Sequence, residues 1–271
     1  LQQRITTALV LVPVAVSAVL ALPTFYFAIG LGLVLLAGAS EWSVLAGFPS
    51  PLGRSAYALL VAVCLALLWP LVPAWGGAVL AMVALCWIGI TARLLRVDRI
   101  DPAPGADPWL VPLGLLVLLG PWVALVRLHA MLPHGRLLVL FLLVLIWAAD
   151  SLAYLAGRRW GRRRLAPAVS PGKTWLGVYA GLAGAAALGF VLAWQLGLAR
   201  GHVALAVALC TATAAVSVVG DLFESLLKRR RGLKDSGRLL PGHGGILDRI
   251  DSLTAAAPLF VLGILWMEAL L

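Results

Sequence analysis

Long apolar runs separated by short polar connections set the architecture of this chain. The runs occupy about 5–22, 24–46, 55–74, 76–95, 109–128, 137–156, 174–197, 202–226 and 246–271. Each is close to the ~20 residues an α-helix needs to cross the hydrocarbon core of a bilayer. Lipid offers the backbone no hydrogen-bond partner, so such runs satisfy their own amides as helices. The pattern predicts an all-α, polytopic integral membrane protein with about nine transmembrane helices.

Composition excludes a soluble domain. The chain is 62% hydrophobic and only 12% charged, with mean hydropathy +1.02, against roughly half and a quarter for a globular domain. Arg4 ahead of an apolar stretch has the look of a signal peptide. Eight further runs and no convincing cleavage site predict a retained first helix. Cys64, Cys86 and Cys210 lie inside apolar runs without metal-ligand spacing and read as packing residues.

The formal net charge of +10 changes the picture through its placement. With the N-terminus inside, eighteen of the 21 lysines and arginines fall in inner segments; only Arg127, Arg136 and Arg200 fall outside. This bias predicts a cytoplasmic N-terminus and an external C-terminus; the expected location is the cell inner membrane, with the site facing the cytoplasm. The positive charge therefore marks cytoplasmic loops rather than a nucleic-acid partner. The chain divides into an N-terminal region, 1–135, of about five spans, and a region 136–271 of about four, with basic cytoplasmic loops at 157–173 and 227–245. Residues 93–108 read as a solvated connection, and Trp69, Trp75, Trp109 and Trp122 as interfacial helix-end residues.

Candidate chemistry concentrates in the second region. Acids in spanning helices cost ~2.5–3.5 kcal/mol on insertion scales and usually face a cavity or a partner. Asp150, Asp221, Glu224, Asp248 and Asp251 sit at or near inner helix ends. Asp221, Glu224, Ser225 and Lys228 share one helix face, as do Asp248, Asp251 and Ser252, and Asp150, Ala153, Tyr154 and Gly157. Converging faces would ring a polar cavity with hard oxygen ligands suited to Mg²⁺. Pairing of the acids with nearby arginines to orient helices is the structural alternative. In the first region Glu41 is the one acid near membrane depth, read equally as interfacial or functional.

The two basic loops complement the acids. All three lysines, Lys173, Lys228 and Lys234, fall in them, whereas the eighteen arginines are spread more widely. A compact ammonium is a point-charge phosphate ligand, unlike the planar guanidinium fork. The glycines of "SPGK" and "PGHGG" let backbone amides approach an anion, the second leading into a helix start. Gly177 and Gly181 have the spacing of close helix packing, within or between subunits. No GxxxxGK[ST] loop, Ser-His-Asp set or zinc site is present in the sequence. From these residues the function reads as phosphoryl or nucleotidyl transfer onto a membrane-embedded acceptor.

The segment "SLLKRRRGLKDSGRLLPGHGGILDRID", 225–251, resembles the signature of the phosphatidate cytidylyltransferases, or CDP-diacylglycerol synthases. Ser225, Lys228 and Arg229, then Lys234 and Asp235, the Pro241–Gly245 turn, and Asp248, Arg249 and Asp251 stand at the expected spacing. "DSLAYLAGRRWGRR" and "VSPGKTWLG" upstream are similar too, with Leu176 where family members often have a polar or acidic residue. The resemblance is strong over about 145–255 and rests on hydropathy before that. It implies transfer of the cytidylyl group of CTP to phosphatidate with Mg²⁺, two ions in all, among membrane lipids, in a homodimer. It implies Asp221, Asp248, Asp251 and Asp150 as metal ligands, and Lys228, Arg229, Lys234, Asp235, His243 and Arg249 as catalytic residues. Ser170, Lys173, Thr174, Ser225, Gly244 and Gly245 would bind substrate. A CTP-dependent transferase for another lipid acceptor, and an anionic-metabolite transporter, are the alternatives.

Overall fold

The computed structural model describes residues 2–103, 105–240, 242 and 244–270. Among them are nine α-helices: α1 (Gln2–Ala21), α2 (Thr24–Leu45), α3 (Pro51–Leu68), α4 (Val72–Leu94), α5 (Leu110–His129), α6 (Gly135–Trp160), α7 (Trp175–Gln195), α8 (Arg200–Arg230) and α9 (Leu247–Leu270). Seven helical stretches are long and apolar enough to cross a membrane, with 51–94 taken as one and α1 contributing a shorter apolar segment. At 1.5 Å per residue, 44 residues reach about 66 Å, more than twice a hydrocarbon core. The stretch reverses at a 3-10 turn, Trp69–Leu71. Tyr57 donates to the Val111 carbonyl at the start of α5, and Trp69 meets Trp122 further along α5. Beyond the turn, Gly76 lies against Val123 and Arg127, and Val83 against Gly120, so α4 runs back down the same helix.

Among the described residues the architecture is helical, with one small addition, an antiparallel hairpin of β1 (Arg164–Ala166) and β2 (Ser170–Thr174). The first basic loop is therefore partly helix α6 and partly hairpin. The second begins later than the sequence pattern predicts. Helix α8 carries Lys228, Arg229 and Arg230 and stops at Gly232, whose φ of 67° only glycine adopts without strain. There Leu233 N–H donates to the Lys228 carbonyl and Gly232 N–H to that of Arg229.

Helices α5 and α9 form the packed centre: Leu118, Leu128, Phe260 and Val261 are fully buried. Outward-facing Leu85, Ile88, Phe190 and Trp194 are well exposed, as a lipid-facing surface requires. Trp75 and Trp109 are also exposed, but Trp122 is not interfacial: it is 3% exposed in mid-helix, where its indole donates to the Ala28 carbonyl. The glycine ladder of α7 acts inside the chain. Gly177 and Gly181 press on the Ala153 and Ala149 carbonyls of α6, and Gly189 on the Val207 backbone of α8.

Connections at one end of the bundle are tied together. Arg231 donates to the Leu45, Ala103 and Gly105 carbonyls, and Asp107 pairs with Arg230 at 3.5 Å. The 93–108 connection is thus a strut against α8 as well as a solvated loop.

Candidate active site

Helices α6, α8 and α9 and the β1–β2 hairpin enclose a cavity of about 770 Å³ at that end, within the size range of small-molecule sites. Asp150 enters from α6, Asp221 and Lys228 from α8, and Asp248, Arg249, Asp251 and Ser252 from α9. The hairpin adds Ser170 and Lys173 and ends at Thr174. Thr174 is the N-cap of α7: its hydroxyl accepts from Gly177 N–H at 3.2 Å and leaves no room for a side chain at Gly157. That close approach of α6 and α7 shapes the cavity wall.

Two lysines bridge the acids. Lys173 meets Asp221 at 2.7 Å in a partly exposed pair. Lys228 meets Asp248 at 2.5 Å and Glu224 at 3.3 Å with all three side chains under 10% exposed. Among the described residues neither Glu224 oxygen gains a hydrogen bond beyond this lysine contact. The second Asp248 oxygen accepts from Ser236 N–H at 2.9 Å, Gly245 N–H at 2.8 Å and the Ser236 hydroxyl at 3.0 Å. Asp248 therefore pins the loop to the start of α9 while its other oxygen faces Lys228.

Five cations (Arg158, Arg164, Lys173, Lys228, Arg249) and five aspartates (Asp150, Asp221, Asp235, Asp248, Asp251) line the cavity, so its formal charge is balanced. Asp150 and Asp251 form no ion pair among the described residues. Among the described residues no group of three or more His, Cys, Asp or Glu side chains that could hold a metal is present. Mg²⁺ asks less of a protein than such a group, taking one or two carboxylates and completing its shell with water and phosphate oxygens.

Several residues named from the sequence lie outside the cavity lining. Ser225 donates to Asp221 at 3.2 Å and so supports it from behind. Arg229 is exposed and donates to the Leu233 carbonyl; Lys234 is exposed on the connecting loop. Leu176 is exposed in the first turn of α7. Gly244, at φ 83°, pairs with Leu240, and Gly245 is buried with its N–H on Asp248. His243 and Pro241 lie outside the described residues.

Glu41 has a place that its lone position in the sequence could not reveal. It is 5% exposed, and its two oxygens accept from Ile246 N–H at 3.0 Å, Leu247 N–H at 2.9 Å and the Ser236 hydroxyl at 2.9 Å. The signal was present, an acid in an apolar run, but its partners lie some 200 residues away.

The fold and cavity define a polytopic helical membrane protein with a charge-balanced, carboxylate- and lysine-lined site at one end of its bundle. Residues 2–266 match the cytidylyltransferase family, and the chain belongs to it. It is 44% identical to the phosphatidate cytidylyltransferase of Pseudomonas aeruginosa, covering 98% of this chain and 97% of that protein. It is 40% identical to the protein of that name from Haemophilus influenzae, covering 96% and 97%. An uncharacterised Escherichia coli protein, YnbB, is 44% identical over 126 residues, 46% of this chain and 42% of that one.

Proposed function

We propose that this chain is a phosphatidate cytidylyltransferase. A phosphate oxygen of phosphatidate forms a bond to the α-phosphorus of CTP, the bond from that phosphorus to the bridging oxygen breaks, and CDP-diacylglycerol and pyrophosphate result. The observation that carries this reading is end-to-end similarity to two proteins of that name, with the lysine–aspartate cavity inside the matched region.

The geometry supports the chemistry in a definite way. The acceptor phosphate is already anionic near neutral pH, so the demand is for charge neutralisation and alignment rather than a strong base. A cavity whose own charges cancel cannot alone offset a triphosphate and a phosphomonoester. Asp150 and Asp251 would hold the divalent cations, two in this reading, joined by Asp221 and Asp248 once Lys173 and Lys228 turn to phosphate oxygens. Bound there, such cations supply Lewis-acid stabilisation of charge on the phosphoryl oxygens. Arg249 and Ser170 would complete the nucleotide and headgroup contacts, and Arg158 and Arg164 would draw both polyanions toward the opening.

The nine helices read as nine crossings, N-terminus inside and C-terminus outside, with the cavity at the cytoplasmic face of a bacterial inner membrane. The cation bias supports this orientation. Pairing of two copies remains part of the reading and would use faces other than Gly177, Gly181 and Gly189, which are occupied within the chain.

The test is turnover of labelled CTP by purified protein in detergent with phosphatidate and Mg²⁺, beside D248N. Lipid-soluble cytidine product and pyrophosphate from the parent, lost in a folded D248N, are expected. Absence of product from folded parent protein would overturn the assignment to phosphatidate.

A further inference from the structure

Glu41 belongs to α2, in the half of the chain that otherwise reads as membrane anchor, yet its carboxylate sits at the start of α9. The first amides of a helix have no partner within it. Here Ile246 and Leu247 direct theirs at separate Glu41 oxygens, and Gly245 directs its own at Asp248. Two carboxylates therefore share one helix N-terminus, where negative charge is favoured. The Ser236 hydroxyl lies between them, 2.9 Å from Glu41 and 3.0 Å from Asp248. Its single proton serves one at a time, while its oxygen accepts from Asp248 N–H at 3.3 Å.

The surrounding glycines admit Glu41. A Cβ at Gly245 would stand 2.6 Å from Glu41 Oε1, and one at Gly237 would stand 2.7 Å from its Cδ. The two amides that follow the glycine turn, those of Ile246 and Leu247, thus receive an anion, and that anion is a side chain from another helix. Glutamine would not replace it. Both Glu41 oxygens accept hydrogen bonds, whereas an amide offers one acceptor and turns a donor toward an N–H.

We infer that Glu41 is a positioning residue for the transfer reaction: it holds Ser236 and the 245–248 segment from α2 and, through Ser236, fixes the carboxylate of Asp248 in the cavity. The inference rests on the cytidylyltransferase reading for its kinetic consequence, but its structural part stands independently. The N-terminal helices would then supply a strut of the active site as well as an anchor.

The experiment compares full-length parent, E41Q and S236A in detergent by hydrogen–deuterium exchange mass spectrometry and by kcat and KM for CTP and phosphatidate. S236A removes only the link between the two carboxylates, so it tests the idea should E41Q fold poorly. Expected are faster exchange in peptides covering 236–248, unchanged exchange in α5 and α7, and kcat lower by about 10- to 100-fold in E41Q, with KM for phosphatidate near the parental value. S236A should lower kcat in the same sense and add little to E41Q in the double variant. Parental kcat and parental exchange in both variants would overturn the inference. So would parental kcat in S236A with E41Q accelerating exchange equally in every helix, the mark of a general stability role. A parent that makes no cytidine lipid would instead defeat the functional reading, leaving the exchange data to decide the Glu41 strut.

Discussion

Lys228 on α8 stands 2.5 Å from Asp248 on α9 while also facing Glu224 one helical turn before it, with under a tenth of each side chain exposed. One ammonium thus serves two buried carboxylates. Truncating one member of a buried ionic group costs far more than the group contributes net, because the remaining charges lose their counterion. K228M is expected to destabilise the protein by about 3–5 kcal/mol and to abolish turnover. Thermal unfolding in detergent and the cytidylyl assay check both effects.

Glu224 is the weak member of that group. It stands 3.3 Å from Lys228 against 2.5 Å for Asp248, and among the described residues its oxygens gain no further hydrogen bond. E224Q is expected to keep or raise the midpoint of thermal unfolding. E224Q/K228M should lose less than K228M alone, because removing one acid relieves the uncompensated charge. A fall in midpoint for E224Q matching that of K228M would contradict this account.

The other lysine pair should separate stability from activity. Lys173 and Asp221 are 24% and 30% exposed, so water and salt screen their attraction and the pair contributes at most about 1 kcal/mol. Both line the cavity. K173A is expected to unfold within a few degrees of the parent yet lose at least about tenfold in kcat/KM, the loss of about 1.4 kcal/mol of transition-state binding.

Chelation of divalent ions should stop turnover without unfolding the chain. Lys173 and Lys228 already compensate Asp221 and Asp248, so the fold does not depend on a metal to offset those charges. Activity lost in EDTA and regained on adding Mg²⁺, with unchanged helical circular dichroism, is the expected result. Helix loss on chelation would point to a structural metal.

Gly245→Ala probes the turn. Its new Cβ would fall 2.6 Å from a Glu41 oxygen, so the turn must shift and carry Asp248 with it. A loss of at least about tenfold in kcat is expected, together with a lower unfolding midpoint, because the shift also disturbs the buried Lys228–Asp248 pair.

Much of this site was legible in the chain because helical periodicity is a local property. The spacing of Asp221, Glu224, Ser225 and Lys228 places them on one face of any helix, and the structure forms both the Ser225–Asp221 and Lys228–Glu224 contacts there. Glu41 could be noticed but not assigned, since sequence separation carries no information about which helix ends meet. Trp122 was misplaced for a related reason. A tryptophan suits an interface or a core with a backbone acceptor, and the Ala28 carbonyl that decides the matter belongs to another helix.

The sequence by itself determined that this is a helical membrane protein, because hydrocarbon leaves apolar runs no other way to satisfy their backbone. It also determined which helix faces carry acids, lysines and glycines. Only the tertiary structure decided that α4 folds back along α5, that the glycine ladder packs within the chain, and that the amides entering α9 close on Glu41 and Asp248. Those choices depend on which surfaces fit at atomic distance, and a one-dimensional pattern does not contain that.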